Sequence, residues 1–389
     1  MPLARSDFPL LLTLALAACA GPRPPAPVSA PAPTSPSLPS DALSPPTPTP
    51  APTAPPNPPA SVPASAPLPA PTPASTALAR GTHTPADDAL AEGDAAFDAD
   101  ELPRARAAYA RAQKLAPSDP APIAGLARVA LAAPELPMAL GSAPKDRRIL
   151  ALADQLDRAA RANPDHAPLL CEQGKALFVL GRAEPAVAAL ERAVTLSPND
   201  LEAVSTLAVV LVSTGQSARA LPHLRHAVAL APSDPAPLTN LGTALLLTGD
   251  VGGAADAFER VVTLEPNDAR AHSDFGAACL AQGRIGRAVT ELTRATDLEP
   301  KRATFRSNLA HALELAGNLE AALQNAQRAT ELDPKLGSAW IVLGTVSAKQ
   351  GHFPEARRAL QRAAALDPTD PRPPQNLEEL DALEHRTPR

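Results

Sequence analysis

GSAWIVLGTVSAKQGHFPEARRALQRAAALDPTD, residues 337–370, is one copy of a 34-residue pattern that the chain repeats in register. Its fixed points are Leu343 with Gly344 behind it, then Gly351, Ala356, Leu360 and Pro368. At steps of 34 toward the N-terminus, Pro368 is preceded by Pro334, Pro300, Pro266, Pro232, Pro198 and Pro164. Gly351 is preceded in the same way by Gly317, Gly283, Gly249, Gly215 and Gly181, and Ala356 by Ala322, Ala288, Ala254, Ala220 and Ala186. Four residues beyond the alanine stands Leu190, Leu224, Phe258, Leu292 or Leu360, with Ala326 as the exception. Six consecutive units in one register mark a tandem array, and the period dictates the fold.

Each unit predicts a helix, a glycine that ends it, a second helix, and a proline that closes the second. The first helix carries a large apolar residue at Leu207, Leu241, Phe275, Leu309 and Leu343. The next position is always small: Gly174, Ala208, Gly242, Gly276, Ala310 and Gly344. Small residues there, with the fixed alanine on the second helix, let two antiparallel backbones approach closely. Glycine between them supplies the left-handed conformation that a short helix-helix turn needs.

This register resembles the tetratricopeptide repeat family, whose signature is W-x2-L-G-x2-Y, then A-x3-F, then P at a 34-residue period. Trp340, Leu343, Gly344, Ala356, Leu360 and Pro368 carry the likeness best, although Ser347 stands where the family prefers Tyr. Other units put Leu or Val at the Trp and Tyr places, in keeping with an aromatic content of 2%. The resemblance implies an all-α fold, an α-solenoid wound as a right-handed superhelix. Eight units are expected over 86–370: 86–119, 120–166, 167–200, 201–234, 235–268, 269–302, 303–336 and 337–370. The first has Gly93, Ala105, Tyr109, Ala112 and Pro117 in register; the second carries an insertion at about 132–145 with Pro134, Pro137, Pro144, Leu136, Met138 and Leu140. A proline-rich loop with exposed apolar groups suits either a clamp over the groove or a tolerated insertion. Residues 371–389 form a capping helix and tail, the helix running from Pro374 to about His385 with Leu377, Leu380 and Leu383 on one side.

A different chemistry opens the chain. Arg5 precedes the apolar run Phe8–Ala18, too short to span a bilayer, and Leu16-Ala17-Ala18-Cys19 follows. That tetrad resembles the lipobox of bacterial lipoproteins, which implies a signal peptide over 1–18, cleavage before Cys19, and lipidation of its thiol. The other reading is an ordinary secretory signal. Ala20 in place of aspartate resembles the residue types that permit export, so the expected home is the outer membrane, on the periplasmic side. Residues 19–85 are expected to form a lipid-bearing cysteine and a Pro/Ala/Ser/Thr-rich disordered linker, since they hold too few large apolar groups to offset the entropy of ordering.

Charge and motifs exclude more than they assign. A net charge of −6 over 389 residues, with Arg357, Arg358 and Arg362 read as solvated faces and no basic patch interleaved with aromatics, disfavours nucleic acid. With Cys19 acylated, Cys171 and Cys279 fall on first helices of different units and leave no disulfide framework. No nucleophile elbow, metal-protease helix, phosphate loop or dinucleotide fingerprint is present, so no catalytic residue, metal or cofactor is assigned. His223 and His226, three apart on a second helix, read as a solvated face.

Binding remains. Thr206, Asn240, Asp274 and Asn308 recur at steps of 34 on first helices and predict one polar row along the groove, with Thr243 and His311 beside it. An amide both donates to and accepts from a peptide backbone. The row resembles the asparagine ladder by which some family members hold extended peptides; the alternative is a merely solvated groove. Cys171, Ser205, Thr239, Ser273 and Ser307 stand where chaperone-adaptor members place the first basic residue of a carboxylate clamp, which argues against a clamp. Two classes of function follow: a membrane-anchored scaffold for assembly of a cell-envelope complex, such as a pilus, secretin, outer-membrane or polysaccharide-export machine, or an accessory subunit that positions a periplasmic enzyme. Oligomeric state is left open.

Overall fold

A computed structural model describes residues 77–133, 136 and 138–386; the signal segment, Cys19 and most of the linker lie outside them. The described residues form an all-α solenoid of helix pairs. In chain order the helices are α1 (Pro85–Asp98), α2 (Leu102–Leu115), α3 (Ala121–Leu131), α4 (Arg147–Ala162), α5 (Ala167–Val179), α6 (Ala183–Leu196), α7 (Leu201–Ser213), α8 (Ser217–Leu230) and α9 (Pro235–Leu247). They continue as α10 (Val251–Leu264), α11 (Ala269–Ala281), α12 (Ile285–Leu298), α13 (Ala303–Leu315), α14 (Leu319–Leu332), α15 (Gly337–Lys349), α16 (Phe353–Leu366) and α17 (Arg372–Arg386). Odd-numbered helices up to α15 are the first of a pair and even-numbered ones the second.

The turn is the same object in seven of the eight pairs, all but α3 and α4, which the insertion joins. Gly215 has φ +77°, its N–H donates to Val212 O at 3.1 Å, and the Gln216 N–H donates to Leu211 O at 2.8 Å. Two orphan carbonyls at the end of α7 are thereby satisfied in a Schellman motif. Gly181, Gly249, Gly283, Gly317 and Gly351 repeat it. In the first pair Asp100 takes the left-handed place at φ +60°, and the Glu101 N–H donates to Ala96 O at 2.8 Å.

Close packing within the pairs follows from the small residue of the first helix. A Cβ on Gly242 would lie 2.8 Å from Phe258 Cζ, and one on Gly276 would lie 2.6 Å from Leu292 Cγ. Tyr109 fills the corresponding space against both Gly93 and Gly125. Ala310 and Ala326, which stand at these two positions in the seventh unit, are both fully buried. Ala186, Ala220, Ala254, Ala288, Ala322 and Ala356 are fully buried, and one apolar core runs without interruption from Ala160 to Ala312.

Successive pairs are also joined by polar bonds. His272 Nε2, Arg306 Nε and Trp340 Nε1 each donate to the proline carbonyl six residues back, Pro266, Pro300 and Pro334, at 3.0, 2.8 and 3.0 Å. Three chemically different side chains thus make one bond at the signature tryptophan position. Asp200, Asp234 and Asp268 cap the N-termini of α7, α9 and α11, accepting from N–H groups of the first turn at 2.7–3.2 Å.

At both ends and at the insertion the structure departs from the sequence reading. Composition carries the linker to residue 85, yet Ala77 to His83 lie as a strap against α1. Leu78 is buried with Leu90 and Tyr109, and the N–H groups of Leu78 and Ala79 donate to Asp94 Oδ2 at 2.7 and 3.0 Å. The Arg80 and Thr82 N–H groups donate to Asp87 at 2.7 and 2.6 Å, and the Arg80 guanidinium forks onto Asp119 at 3.0 and 2.7 Å. Composition could not show this, because it depends on two carboxylates of α1, Asp87 and Asp94, buried beneath the strap and accepting its main-chain donors. The insertion is likewise docked: Gly141 and Ala143 donate to Phe178 O and Val179 O at 3.0 and 3.1 Å, covering the C-terminus of α5, while Leu136 and Met138 rest on the core. The last helix starts at Arg372 rather than Pro374; Leu380 is buried against Leu360, whereas Leu383 is 45% exposed. Arg357 is no simple solvated residue, since it bridges to Asp381 and Glu384 of α17 at 2.6 and 2.9 Å.

Candidate binding groove

On an α-helix, two residues apart means about 200° apart. Gly276 faces Leu292 of the second helix α12, so Asp274 points away from the second-helix layer. The same offset holds for Asn240 before Gly242, Thr206 before Ala208, and Asn308 before Ala310. The four therefore share one face of the first-helix layer, contributed by α7, α9, α11 and α13, with Thr243 and His311 one turn further along α9 and α13.

They are not equally available. Thr206, Asn240, Asn308, Thr243 and His311 are partly exposed, while Asp274 is 6% exposed. Asn308 Nδ2 donates to Ser273 Oγ of the preceding first helix at 3.4 Å, a contact along the row. The Thr243 hydroxyl donates to Thr239 O at 3.0 Å, which leaves its lone pairs facing outward. His311 Nδ1 lies 3.4 Å from Glu314 Oε2, and Lys349 Nζ lies 3.0 Å from Glu314 Oε1. Burial works to raise the Glu314 pKa, but hydrogen bonds from His311 and Lys349 outweigh it and bring it below the usual range. At Asp274 burial wins: the carboxyl is raised to about 7, with Arg270 opposing and Asp268 adding to the shift.

Toward the N-terminus the same face carries a charged network that the sequence reading missed. Glu172 of α5 stands 34 residues before Thr206, and Lys175 stands at the place of Thr243 and His311. Lys175 Nζ donates to Glu172 Oε1 at 2.9 Å and to Glu202 Oε1 of α7. Arg128 of α3 reaches Glu202 Oε2 at 3.1 Å and Glu172 Oε1 at 3.5 Å, with its guanidinium 5.5 Å from the Phe97 ring centroid. Burial raises the pKa of Glu172, which is wholly enclosed and whose Oε2 has no partner. Burial also pushes on Glu202, yet Lys175 and Arg128 bring it down to about 2. The signal was present in the register: extending the row by one step gives Glu172.

The remaining candidates are placed apart from this face. Cys171 and Cys279 are free and buried, and burial raises both thiols above their ordinary value, which makes them poor nucleophiles. His226 Nε2 donates to Pro198 O at 3.0 Å, a structural bond. Among the described residues no three His, Cys, Asp or Glu side chains gather as metal ligands, and no helix is long and apolar enough to cross a membrane. Cys19 lies outside the described residues.

Comparison with known proteins agrees with the repeat. One tetratricopeptide repeat model matches residues 153–200 and 205–269, and a second matches 245–311 and 313–374, together more than half of the chain. No curated protein matches it. Among solved structures, the APC/C hetero-tetramer Cut9-Hcn1 is similar at 16% identity and a TM-score of 0.52, covering 77% of this chain and 57% of that one. The chain thus spans little more than half the length of that relative. A tetratricopeptide repeat protein from Parabacteroides merdae is 14% identical with a TM-score of 0.49, over 61% of this chain and 93% of that one. Pseudomonas aeruginosa pilF is 17% identical with a TM-score of 0.46, over 59% and 98%. Likeness at these identities is one of fold.

Proposed function

The chain belongs to the tetratricopeptide repeat family, and we propose that it is a non-catalytic scaffold that holds an extended protein segment along the first-helix face and is tethered to a bacterial envelope membrane through Cys19. One observation carries the binding half of this reading. Asn240 and Thr243 of α9 and Asn308 and His311 of α13 are partly exposed and lie on the face turned away from the second helices, two repeats apart with Asp274 of α11 between them, so that a main chain crossing these units meets open hydrogen-bonding groups on both sides of Asp274. An amide can take both N–H and C=O of that main chain, which favours contact irrespective of its side chains. The tether rests on Leu16-Ala17-Ala18-Cys19, small residues for protease access before one thiol. Two or three acyl chains on that cysteine would hold the protein in a membrane, where one alone is marginal. Assembly of an envelope complex is the role such a tethered array would fill.

The test is in-cell crosslinking of the full chain, followed by purification from the membrane fraction and mass spectrometry of partners and of the mature N-terminus. Wild type should carry an acylated Cys19 and a defined partner. The Asn240→Ala, Asn308→Ala double variant should keep the acyl group and lose the partner, and Cys19→Ser should leave the membrane. A partner retained at full yield by the double variant would refute the groove; a mature terminus without lipid would refute the tether.

A further inference from the structure

Six carboxylates are buried among the described residues, and five have hydrogen-bond donors. Asp87 and Asp94 accept main-chain N–H groups, Glu172 accepts from Lys175, Glu291 meets His272 at 2.7 Å and Arg287 at 3.0 Å, and Glu314 meets Lys349. Asp274 is different. Among the described residues its one ion-pair partner is Arg270 Nε, at 3.8 Å from Oδ2 and one turn back on the same helix, beyond hydrogen-bond reach. A buried carboxylate without a donor is destabilising unless a cation or donor arrives. This one lies on the groove face, between the amides of Asn240 and Asn308.

We propose that Asp274 is the point at which the groove selects its ligand, taking the Lys or Arg side chain of an extended partner segment whose main chain is held by Asn240 and Asn308. Where its neighbours in the row are amides that serve any main chain, a carboxylate can only accept, and it accepts most strongly from a cation. Of the groups around it, Ser273 and Asn308 are uncharged, Arg270 is the neighbouring cation, and Asp268, the N-cap of α11, adds a second negative charge that also favours an arriving cation. Neighbouring first helices are roughly 9 Å apart and an extended chain advances about 3.4 Å per residue, so the basic residue should sit about three residues from each amide contact. The inference rests on the groove reading above and adds a side-chain requirement to it.

A phage-displayed random decapeptide library panned on the full chain, on Asp274→Asn and on the Asn240→Ala, Asn308→Ala variant tests it, with circular dichroism confirming that each variant is folded. Wild type should enrich peptides with a Lys or Arg at one recurrent place, and Asp274→Asn should lose that enrichment. For a selected peptide measured by fluorescence anisotropy, Asp274→Asn and replacement of the basic residue by Gln should each weaken binding at least tenfold, and the two together no more than either alone. Enriched peptides without a basic residue, or a basic preference that persists in Asp274→Asn, overturn this proposal and leave the groove standing. A library that yields no binder to wild type removes both.

Discussion

Replacing Asp274 by Asn keeps the shape of the side chain and removes its titration. In the fold the carboxyl sits at about 7 against an ordinary value of 3.8, because burial outweighs Arg270 at 3.8 Å while Asp268 adds repulsion. The folded state therefore holds the proton more tightly than the unfolded chain, and stability falls as pH rises from about 4 to about 7. Below that window both states are protonated and nothing is lost; above it the whole penalty is present. At about 1.36 kcal/mol per pH unit, the penalty is roughly 1.5 kcal/mol at pH 5 and about 4 kcal/mol at pH 8. Asparagine carries none of it, so Asp274→Asn should be more stable than wild type by an amount that grows by roughly 2.5 kcal/mol over that range. Urea unfolding of both proteins at pH 5, 6, 7 and 8 measures the difference, in which every titration common to the two cancels. Because repeat arrays unfold by neighbouring units, hydrogen exchange in α11 and α13 should report the same gain locally. A difference that stays constant with pH would refute the reasoning, since it would mean that Asp274 is ionised without cost.

Four further substitutions probe the scaffold. Lys175→Met leaves Glu172 and Glu202 with Arg128 alone and should cost ~3 to 5 kcal/mol in the units around α5 and α7, read by hydrogen exchange there. Gly242→Ala drives a methyl group into Phe258 and should cost ~1 to 3 kcal/mol, whereas Gly286→Ala, on α12 with nothing within 4 Å, should stabilise by ~0.5 to 1 kcal/mol; equal effects in thermal melts would show that close approach is not what the first glycine serves. Asp100→Gly relieves a left-handed aspartate and should protect α1 and α2 by ~1 kcal/mol, an idea that unchanged exchange in those helices would sink.

The repeat was legible because it is written by residues that have few substitutes. Only glycine is at ease at φ near +80°, and only a small residue fits under Phe258 or Leu292, so those positions recur and the period shows through. Donor positions are written less plainly: His272, Arg306 and Trp340 make one bond with three residue types, so a search for tryptophan finds a single instance. The polar row was visible as a column, but the column did not show that Asp274 is enclosed while Asn240 is open. Enclosure depends on the side chains of neighbouring helices, and those do not obey the period. The same holds for the network of Arg128, Glu172, Lys175 and Glu202, assembled from three units at three different register places. The strap and the docked insertion were least visible, because main-chain donors hold them and any residue but proline supplies one.

The strap also decides how the array would respond to being pulled. Tension arriving along the chain from residue 76 reaches Leu78 before it reaches any helix, and Leu78 and Ala79 are fastened to Asp94, in the middle of α1, while Arg80 is fastened to Asp119 beyond the end of α2. The load therefore spreads across the first pair and its neighbour instead of unravelling α1 from Pro85, the free end where a helix frays most easily. Those few contacts act as a strain relief, like the clamp that keeps a cable's tug off its solder joint.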